Sequence, residues 1–113
     1  MNLNGLGIDI VEVKRFKVFK NKKDNFLFNN FSKQELDYCF SYKDPGTHLA
    51  GTFAIKEAVW KALGQKKLLS STIEIRRDKT GQPTVWLNHK QQTSILVSIS
   101  HTAKTAVAIA IKV

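Results

Sequence analysis

The longest apolar stretch of the sequence, residues 53–64, reads FAIKEAVWKALG and is predicted to be a helix. Only Lys56, Glu57 and Lys61 interrupt it, so the helix is apolar on nearly every side and belongs in the interior. Glu57 and Lys61 share a face, and Gly64 stands where a left-handed C-terminal cap is expected. Because a buried carboxylate needs a cation or a proton, Glu57 requires a positive partner, either Lys61 or a divalent metal.

Upstream of this central helix, the pattern predicts a strand followed by helices. Gly5 and Gly7 in the strand mark places where another backbone approaches closely or a bulge forms. The sequence Ser-Lys-Gln-Glu at 32–35 is a capping box that starts a helix. The Asp-Pro-Gly sequence at 44–46 ends it, and Thr47 is predicted to cap the central helix. The predicted elements are a strand at Leu3–Ile10, helices at Glu12–Lys20, Lys33–Tyr42 and His48–Leu63, and a helical turn at 26–31.

Downstream, alternating positions predict two hairpins that follow a basic loop at 65–71. In the last strand Ala106, Ala108 and Ala110 lie on one face, which leaves room for the central helix to pack closely. The fold class is therefore α+β, a mainly antiparallel sheet packed around a long buried helix, in a single domain over 1–113. The predicted strands are Thr72–Arg77, Pro83–Leu87, Ile95–Ser100 and Thr105–Val113.

The composition of the chain gives it a strong positive charge. The 113 residues contain 18 Lys and Arg against 9 Asp and Glu, a formal charge of +9. We therefore expect an anionic partner, which charge alone leaves open among nucleic acid, a phosphorylated metabolite and an acidic protein. The one cysteine, Cys39, is predicted to lie in the core, and an intramolecular disulfide is excluded. No segment resembles a signal peptide or a membrane span, so a cytoplasmic protein is expected.

Two acids in apolar surroundings are the first candidates for chemistry. Asp9 interrupts the apolar sequence IDIV in the first strand, and Glu57 interrupts the central helix. If the two carboxylates converge they repel each other, and a hard cation such as Mg²⁺, held together with substrate phosphates, relieves that repulsion. The alternative for Asp9 is a helix cap or a turn.

Basic residues form the second candidate site, a phosphate-binding cluster near the end of the central helix. The cluster comprises Lys56, Lys61, Lys66 and Lys67, of which the last two have solvated surface lysines as the alternative interpretation. His101 is placed in the turn between the last two strands, where a lone histidine is ordinarily a surface residue.

Four segments, taken together, resemble the holo-acyl-carrier-protein synthases, the small bacterial members of the 4′-phosphopantetheinyl transferases. They are GLGIDIVEVKRF near the start, FAIKEAVWKALG in the middle, GQP at 81–83 and VSISHT before the final strand. The resemblance covers nearly the whole chain in the right order. It implies the 4′-phosphopantetheinyl transferase fold and an enzyme of fatty acid biosynthesis. Such an enzyme moves phosphopantetheine from coenzyme A to a serine of apo-acyl carrier protein and releases 3′,5′-ADP.

The resemblance also implies roles for individual residues. Asp9 and Glu57 match the acids that hold Mg²⁺, and Lys61 matches a lysine near the phosphates; these three form the implied catalytic group. A homotrimer with sites between subunits is implied too, and neither a membrane nor a nucleic acid is an expected partner. Implied coenzyme A contacts are Phe53, Lys56, Lys61, Gly64, Pro83, His101 and Thr102, and implied contacts with the acidic carrier are Lys14, Arg15, Lys22 and Lys23.

Two other classes of protein agree with parts of the sequence. A basic nucleic-acid-binding domain also explains the charge, although the aromatic residues fall mostly at core positions and no binding motif is recognisable. A non-catalytic interaction module is the other alternative, and it leaves Asp9, Glu57 and Lys61 without a role.

Overall fold

The computed structural model describes residues 2–64 and 72–113, which form an α+β fold as predicted. The loop predicted at 65–71, with Lys66 and Lys67, lies outside the described residues. Three α-helices and six strands are found in the described ranges. They are β1 (Gly5–Glu12), α1 (Asn25–Asn30), α2 (Lys33–Phe40), α3 (Pro45–Ala62), β2 (Ile73–Arg77), β3 (Pro83–Leu87), β4 (Lys90–Gln91), β5 (Ile95–His101) and β6 (Thr105–Lys112).

The strands form two three-stranded antiparallel sheets. The first has the order β1-β6-β5 and the second the order β2-β3-β4. Both predicted hairpins are present, β2–β3 around the turn at 78–82 and β5–β6 around the turn at 102–104. A single sheet was predicted, and the structure has two. In the first sheet β1 is an edge strand, and it pairs with β6, the last strand of the chain.

Helix α3 lies against the inner face of the first sheet, as the alanine pattern predicted. Ala106, Ala108 and Ala110 are at most 1% exposed, and their strand contacts α3. On β1, glycine is required because the helix backbone comes so close. A Cβ atom on Gly7 would meet the Ala58 carbonyl oxygen at 1.9 Å, so any side chain there would push β1 away from α3.

The outer face of the same sheet is apolar and exposed. Cross-strand rows align Leu6 with Ile111 and Leu96, and Ile8 with Ile109. Leu6 and Ile8 are 64% and 59% exposed, and each pairs with an isoleucine of β6, so the apolar side chains form one continuous surface across the two strands. A contiguous apolar surface of this kind is typical of an interaction face.

The helix predicted at Glu12–Lys20 is wrong. Strand β1 continues to Glu12, which pairs with Thr105, and the Val13 N–H donates to the Lys104 carbonyl at 2.9 Å. Only one turn of 3₁₀ helix, Val13–Arg15, follows. Pairing with β6 thus overrides the helical pattern. Of the residues that this pattern places towards the core, Val13 and Phe16 are buried, whereas of Val18 and Phe19 the first is exposed and the second is partly buried.

The start of the central helix also differs from the prediction. Helix α3 begins at Pro45 rather than His48, because proline is well suited to the first helical position, where its missing N–H costs nothing. Thr47 is therefore inside the helix and does not cap it. Helix α2 has the predicted capping box, with Ser32 and Glu35 bonded reciprocally, and ends at Phe40 instead of Tyr42. Cys39 lies in the core as predicted, and burial raises the pKa of its thiol to about 12.

Candidate active site

Asp9, Glu57 and Lys61 come together where β1 crosses α3. Asp9 lies on the same face of β1 as Gly7, the face that contacts the helix. Its carboxylate Oδ1 accepts a hydrogen bond from the Lys61 Nζ at 3.2 Å, and the Ile8 carbonyl accepts a second one at 2.9 Å. Glu57 is one helical turn before Lys61. The geometry thus brings the three predicted residues to one place, and Asp9 is neither a cap nor a turn residue.

The electrostatics of this group centre on Glu57. Partial burial raises the pKa of Glu57, and the neighbouring Asp9 carboxylate raises it further, while Lys61 and Arg15 partly oppose the shift. In the described ranges, no side chain forms an ion pair with Glu57, since Lys61 bonds to Asp9 instead. Lys61 therefore compensates Asp9 at close range, while Glu57 has no hydrogen-bonded cation in the described ranges and carries an excess of negative charge.

That excess suits a hard divalent cation. Carboxylates at a close approach, one of them without a hydrogen-bonded partner in the described part of the chain, are the oxygen donors that Mg²⁺ prefers. No cluster of three or more His, Cys, Asp or Glu side chains occurs within 2–64 and 72–113. Two carboxylates are too few for a dedicated protein cage, but they suffice where a substrate's phosphates and water complete the coordination.

Lys56 does not join this group, contrary to the predicted lysine cluster. Its side chain is 2% exposed, and its Nζ donates to Glu35 Oε1 and to the Asn30 carbonyl, both at 2.7 Å. Five residues separate Lys56 from Lys61, a rotation of about 140° around a helix, so the two side chains point to different faces. A buried and paired ammonium gives no support to the predicted contact with coenzyme A.

Phe53 lies in a cluster of aromatic rings beside the site. Its ring centroid is 5.4 Å from that of Phe16, and the Arg15 guanidinium lies 5.7 Å from both centroids. Since Arg15 also contributes to the pKa of Glu57, this aromatic cluster adjoins the acids. The cluster consists of Phe16, Phe19, Phe26, Phe31 and Phe53.

The other predicted coenzyme A contacts lie at, or just beyond, the ends of strands and of helix α3. Pro83 begins β3, and His101 is the last residue of β5 rather than part of the turn. Thr102 starts that turn, where its hydroxyl accepts from the Lys104 and Thr105 N–H groups. Gly64 has the predicted left-handed conformation, with φ of 79°, just beyond α3.

Four basic residues predicted to bind a carrier are spread over a turn and a loop. Lys14 and Arg15 lie in the 3₁₀ turn, and Lys14 forms an exposed ion pair with Glu12 at 3.2 Å. Lys22 and Lys23 precede α1, and Lys22 Nζ contacts Asp37 Oδ1 at 2.7 Å. The predicted helix at 12–20, which would have carried Lys14 and Arg15, is thus absent. The charges of these residues nevertheless remain near the aromatic cluster and α2.

Two features near the site had no counterpart in the sequence reasoning. Glu35 was identified only as a capping residue, although it is also the buried partner of Lys56. His48 stacks on Tyr42 with centroids 3.6 Å apart, and the charge of His101 contributes, after burial, to lowering the pKa of His48. No local pattern predicts these contacts, because Glu35 and Lys56 lie on different helices, and Tyr42 lies in the connection after α2 whereas His48 lies in α3.

Across the described ranges, no helix combines the length and hydropathy that crossing a membrane requires. The two sheets, the central helix and the pair of acids agree with the 4′-phosphopantetheinyl transferase class, and sequence comparison identifies the same class. A profile of the 4′-phosphopantetheinyl transferase superfamily matches residues 5–111. The chain belongs to this superfamily.

Within the superfamily, the chain is similar to enzymes of one kind. The chain is 42% identical to the holo-[acyl-carrier-protein] synthase of Thermodesulfovibrio yellowstonii, over 94% of this chain and 95% of the relative. A Bacillus anthracis holo-(acyl-carrier-protein) synthase, solved in complex with CoA (3′,5′-ADP), superposes with a TM-score of 0.80 at 31% identity over 97% and 96% of the two chains. The Helicobacter pylori enzyme in complex with coenzyme A gives 0.80 at 32% identity, over 96% and 99%.

Proposed function

We propose that this protein is a holo-acyl-carrier-protein synthase. It transfers 4′-phosphopantetheine from coenzyme A to a serine hydroxyl of an apo-acyl carrier protein, and 3′,5′-ADP leaves. The observation that carries this proposal is the convergence of Asp9, Glu57 and Lys61 at the crossing of β1 and α3. Close relatives named for this activity, two of them solved with coenzyme A or its 3′,5′-ADP part, support the substrate.

The chemistry follows from charge. A new bond forms between the serine oxygen and the phosphorus, and the bond from phosphorus to the 3′,5′-ADP oxygen breaks. Negative charge grows on the phosphoryl oxygens during this exchange, and Lys61 donates hydrogen bonds to the leaving phosphate. Glu57, or a water that it orients, takes the serine proton.

Asp9 and Glu57 are the residues that would hold Mg²⁺. When bound, the ion neutralises the pyrophosphate of coenzyme A and polarises its phosphoryl oxygens. The hydrogen bond from Lys61 and the pairing of β1 with β6 hold Asp9 in a fixed position beside Glu57. Around them, Phe53, Gly64, Pro83, His101 and Thr102 remain the proposed contacts for the rest of coenzyme A.

The positive charge suits both substrates, since coenzyme A and acyl carrier proteins are acidic. We propose that Lys14, Arg15, Lys22 and Lys23 bind the carrier. Arg15 is the best placed of them, because it lies over the Phe53 ring and acts electrostatically on Glu57. The reaction belongs in the cytoplasm, where both substrates occur.

We further propose a homotrimer built on the outer face of the first sheet. The exposed row of Leu6, Ile8 and Ile10 on β1 is the kind of surface that a second copy covers. Because Asp9 lies on the opposite face of the same strand, a subunit that packs against β1 stands close to the active site. Membership of an enzyme superfamily favours this transferase over the nucleic-acid-binding alternative.

Intact mass measurement of a carrier tests the proposal. The protein is incubated with coenzyme A, Mg²⁺ and an apo-acyl carrier protein, and the carrier mass is recorded over time. A gain of one phosphopantetheine, absent when the acceptor serine is replaced by alanine, is expected. An unmodified carrier under these conditions, with folded enzyme and several apo-carriers tried, would overturn it.

A further inference from the structure

The buried ion pair between Lys56 and Glu35 ties four segments of the chain together. Lys56 Nζ lies 2.7 Å from Glu35 Oε1 and 2.7 Å from the Asn30 carbonyl at the end of α1. Glu35 Oε1 also accepts from the Ser32 N–H at 2.8 Å, and Oε2 accepts from the Ile75 N–H at 2.7 Å. The side chains are 2% and 0% exposed. The pair therefore joins α1, the start of α2, α3 and β2.

A pair buried this deeply is a costly way to stabilise a fold. Removing two charges from water opposes folding, and apolar residues of the same volume are often as stable or more so. Burial raises the pKa of Glu35, and the Lys56 charge and three hydrogen bonds oppose that rise. What an ion pair adds over apolar packing is direction, because each of its hydrogen bonds requires one geometry.

One of the segments that the pair joins, helix α2, holds the proposed carrier-binding residue Lys22. Helix α2 presents Asp37, whose Oδ1 holds the Lys22 ammonium at 2.7 Å. Hydrogen bonds from Lys22 and Lys33 lower the pKa of Asp37 to about 2, so Asp37 is ionised at neutral pH and carries the charge that this contact requires. The other end of this connection is Lys56, the residue next to Glu57 on α3.

We infer that Lys56 and Glu35 are positioning residues for the carrier, which set α1 and α2 at a fixed distance from Glu57. This inference rests on the proposed transfer from coenzyme A to a carrier protein. Asp9, Glu57 and Lys61 belong to β1 and α3 themselves, so their arrangement does not pass through the pair. Loss of the pair should therefore impair use of the carrier and leave coenzyme A binding intact.

The double variant Lys56→Met with Glu35→Gln tests this inference. It removes both charges, keeps the length of the side chain at 35 and shortens the one at 56 by a single atom, and leaves one glutamine oxygen to accept from a backbone N–H. At a temperature where the variant is folded, we expect the KM for the apo-carrier to rise about 10-fold or more, because small misplacements of a substrate are costly. The dissociation constant for coenzyme A, measured by calorimetry, should equal that of the wild type.

Ile95→Ala is the matched control for lost stability. Ile95 is a core residue at the start of β5 with 5% exposure, and it belongs to the first sheet, so its truncation destabilises the fold without altering the strand that is bonded to Glu35. We expect it to lower the melting temperature while both substrate constants stay at wild-type values. An unchanged carrier KM in the double variant would overturn the inference, and so would equal losses for carrier and coenzyme A.

If the double variant fails to fold, Lys56→Arg replaces it, since arginine keeps the charge but moves the donor atoms. The same split between carrier and coenzyme A constants is expected, and its absence would again contradict the inference. Wild-type protein that transfers nothing to any carrier would instead refute the proposed function, so the two failures are distinguishable.

Discussion

Glu57 is a half-buried acid that faces a second acid, and its surroundings define what it does. Burial and the Asp9 carboxylate make its ionised form expensive in the metal-free protein. Folded protein therefore holds the Glu57 proton more tightly than unfolded protein does. Stability must then fall as pH rises from the ordinary pKa, 4.5, through the raised folded-state value.

Glu57→Gln should consequently stabilise the metal-free protein at neutral pH while it abolishes most activity. We expect a higher melting temperature than the wild type at pH 7 in a chelating buffer, and convergence of the two below pH 4.5. Turnover should fall about 100-fold or more, as for the loss of other groups that stabilise transition-state charge.

Glu74→Gln is the control, because the pKa of Glu74 is shifted in the opposite direction. Burial would raise the pKa of Glu74, but hydrogen bonds from Ser32 and Arg76 outweigh it, and the net shift is downward. This substitution should lower the melting temperature at pH 7. A Glu57→Gln protein that is less stable than wild type at neutral pH would show that Glu57 has a cationic partner of its own.

At the scale of elements, the contact between β1 and α3 positions the acids. Glycine at 5 and 7 lets the strand lie directly on the helix backbone, and the next residue on that face is Asp9. The close approach thus delivers a carboxylate from the strand to the turn of the helix that carries Glu57 and Lys61.

Gly7→Ala should separate the two elements. The added Cβ meets the Ala58 carbonyl oxygen at 1.9 Å, and a backbone atom cannot rotate away. We expect a loss of about 3 kcal/mol in the free energy of unfolding by urea denaturation, with transfer activity reduced in the remaining folded protein.

Gly51→Ala is the comparison for that variant, because its Cβ meets only the Ile99 side chain, at 2.5 Å. Ile99 can change rotamer, and alanine favours a helix over glycine by about 1 kcal/mol. Its cost should therefore be much smaller. Equal costs for the two substitutions would indicate that the strand is not held against the helix in this way.

Elements with local signals were predictable from the sequence, and contacts between distant segments were not. The β2–β3 turn and the α2 capping box contain their own turn and cap residues, so both were predicted. The end of β1 was missed because its pairing with β6 involves residues about a chain length apart. Asp9, Glu57 and Lys61 were identifiable as polar residues in apolar segments, whereas the partner of Lys56 depended on tertiary packing.

At the scale of the whole molecule, the first sheet serves two surfaces. Its inner face buries small residues against α3, and its outer face exposes aliphatic side chains on β1 and β6 and Leu96 on β5. A chain of 113 residues gains stability when such a face is covered.

Ile109→Lys tests the proposed trimer directly. Ile109 is central to the outer face, between Ile8 and Ser98, and a lysine there should leave the subunit folded and monomeric by sedimentation. Activity should fall with dissociation. Lys79→Glu, in the exposed turn between β2 and β3, should leave the assembly unchanged. A wild-type protein that sediments as a monomer would contradict the trimer.

The proposed transfer reaction depends on one divalent cation that Asp9 and Glu57 hold together. Binding of Mn²⁺, a paramagnetic substitute for Mg²⁺, is measured by electron paramagnetic resonance with coenzyme A present. We expect one bound ion per subunit in the wild type and in Glu12→Gln, which changes an exposed acid on the same strand. Asp9→Asn and Glu57→Gln should each weaken binding about 10-fold to 100-fold. Wild-type affinity in either of these two variants would contradict it.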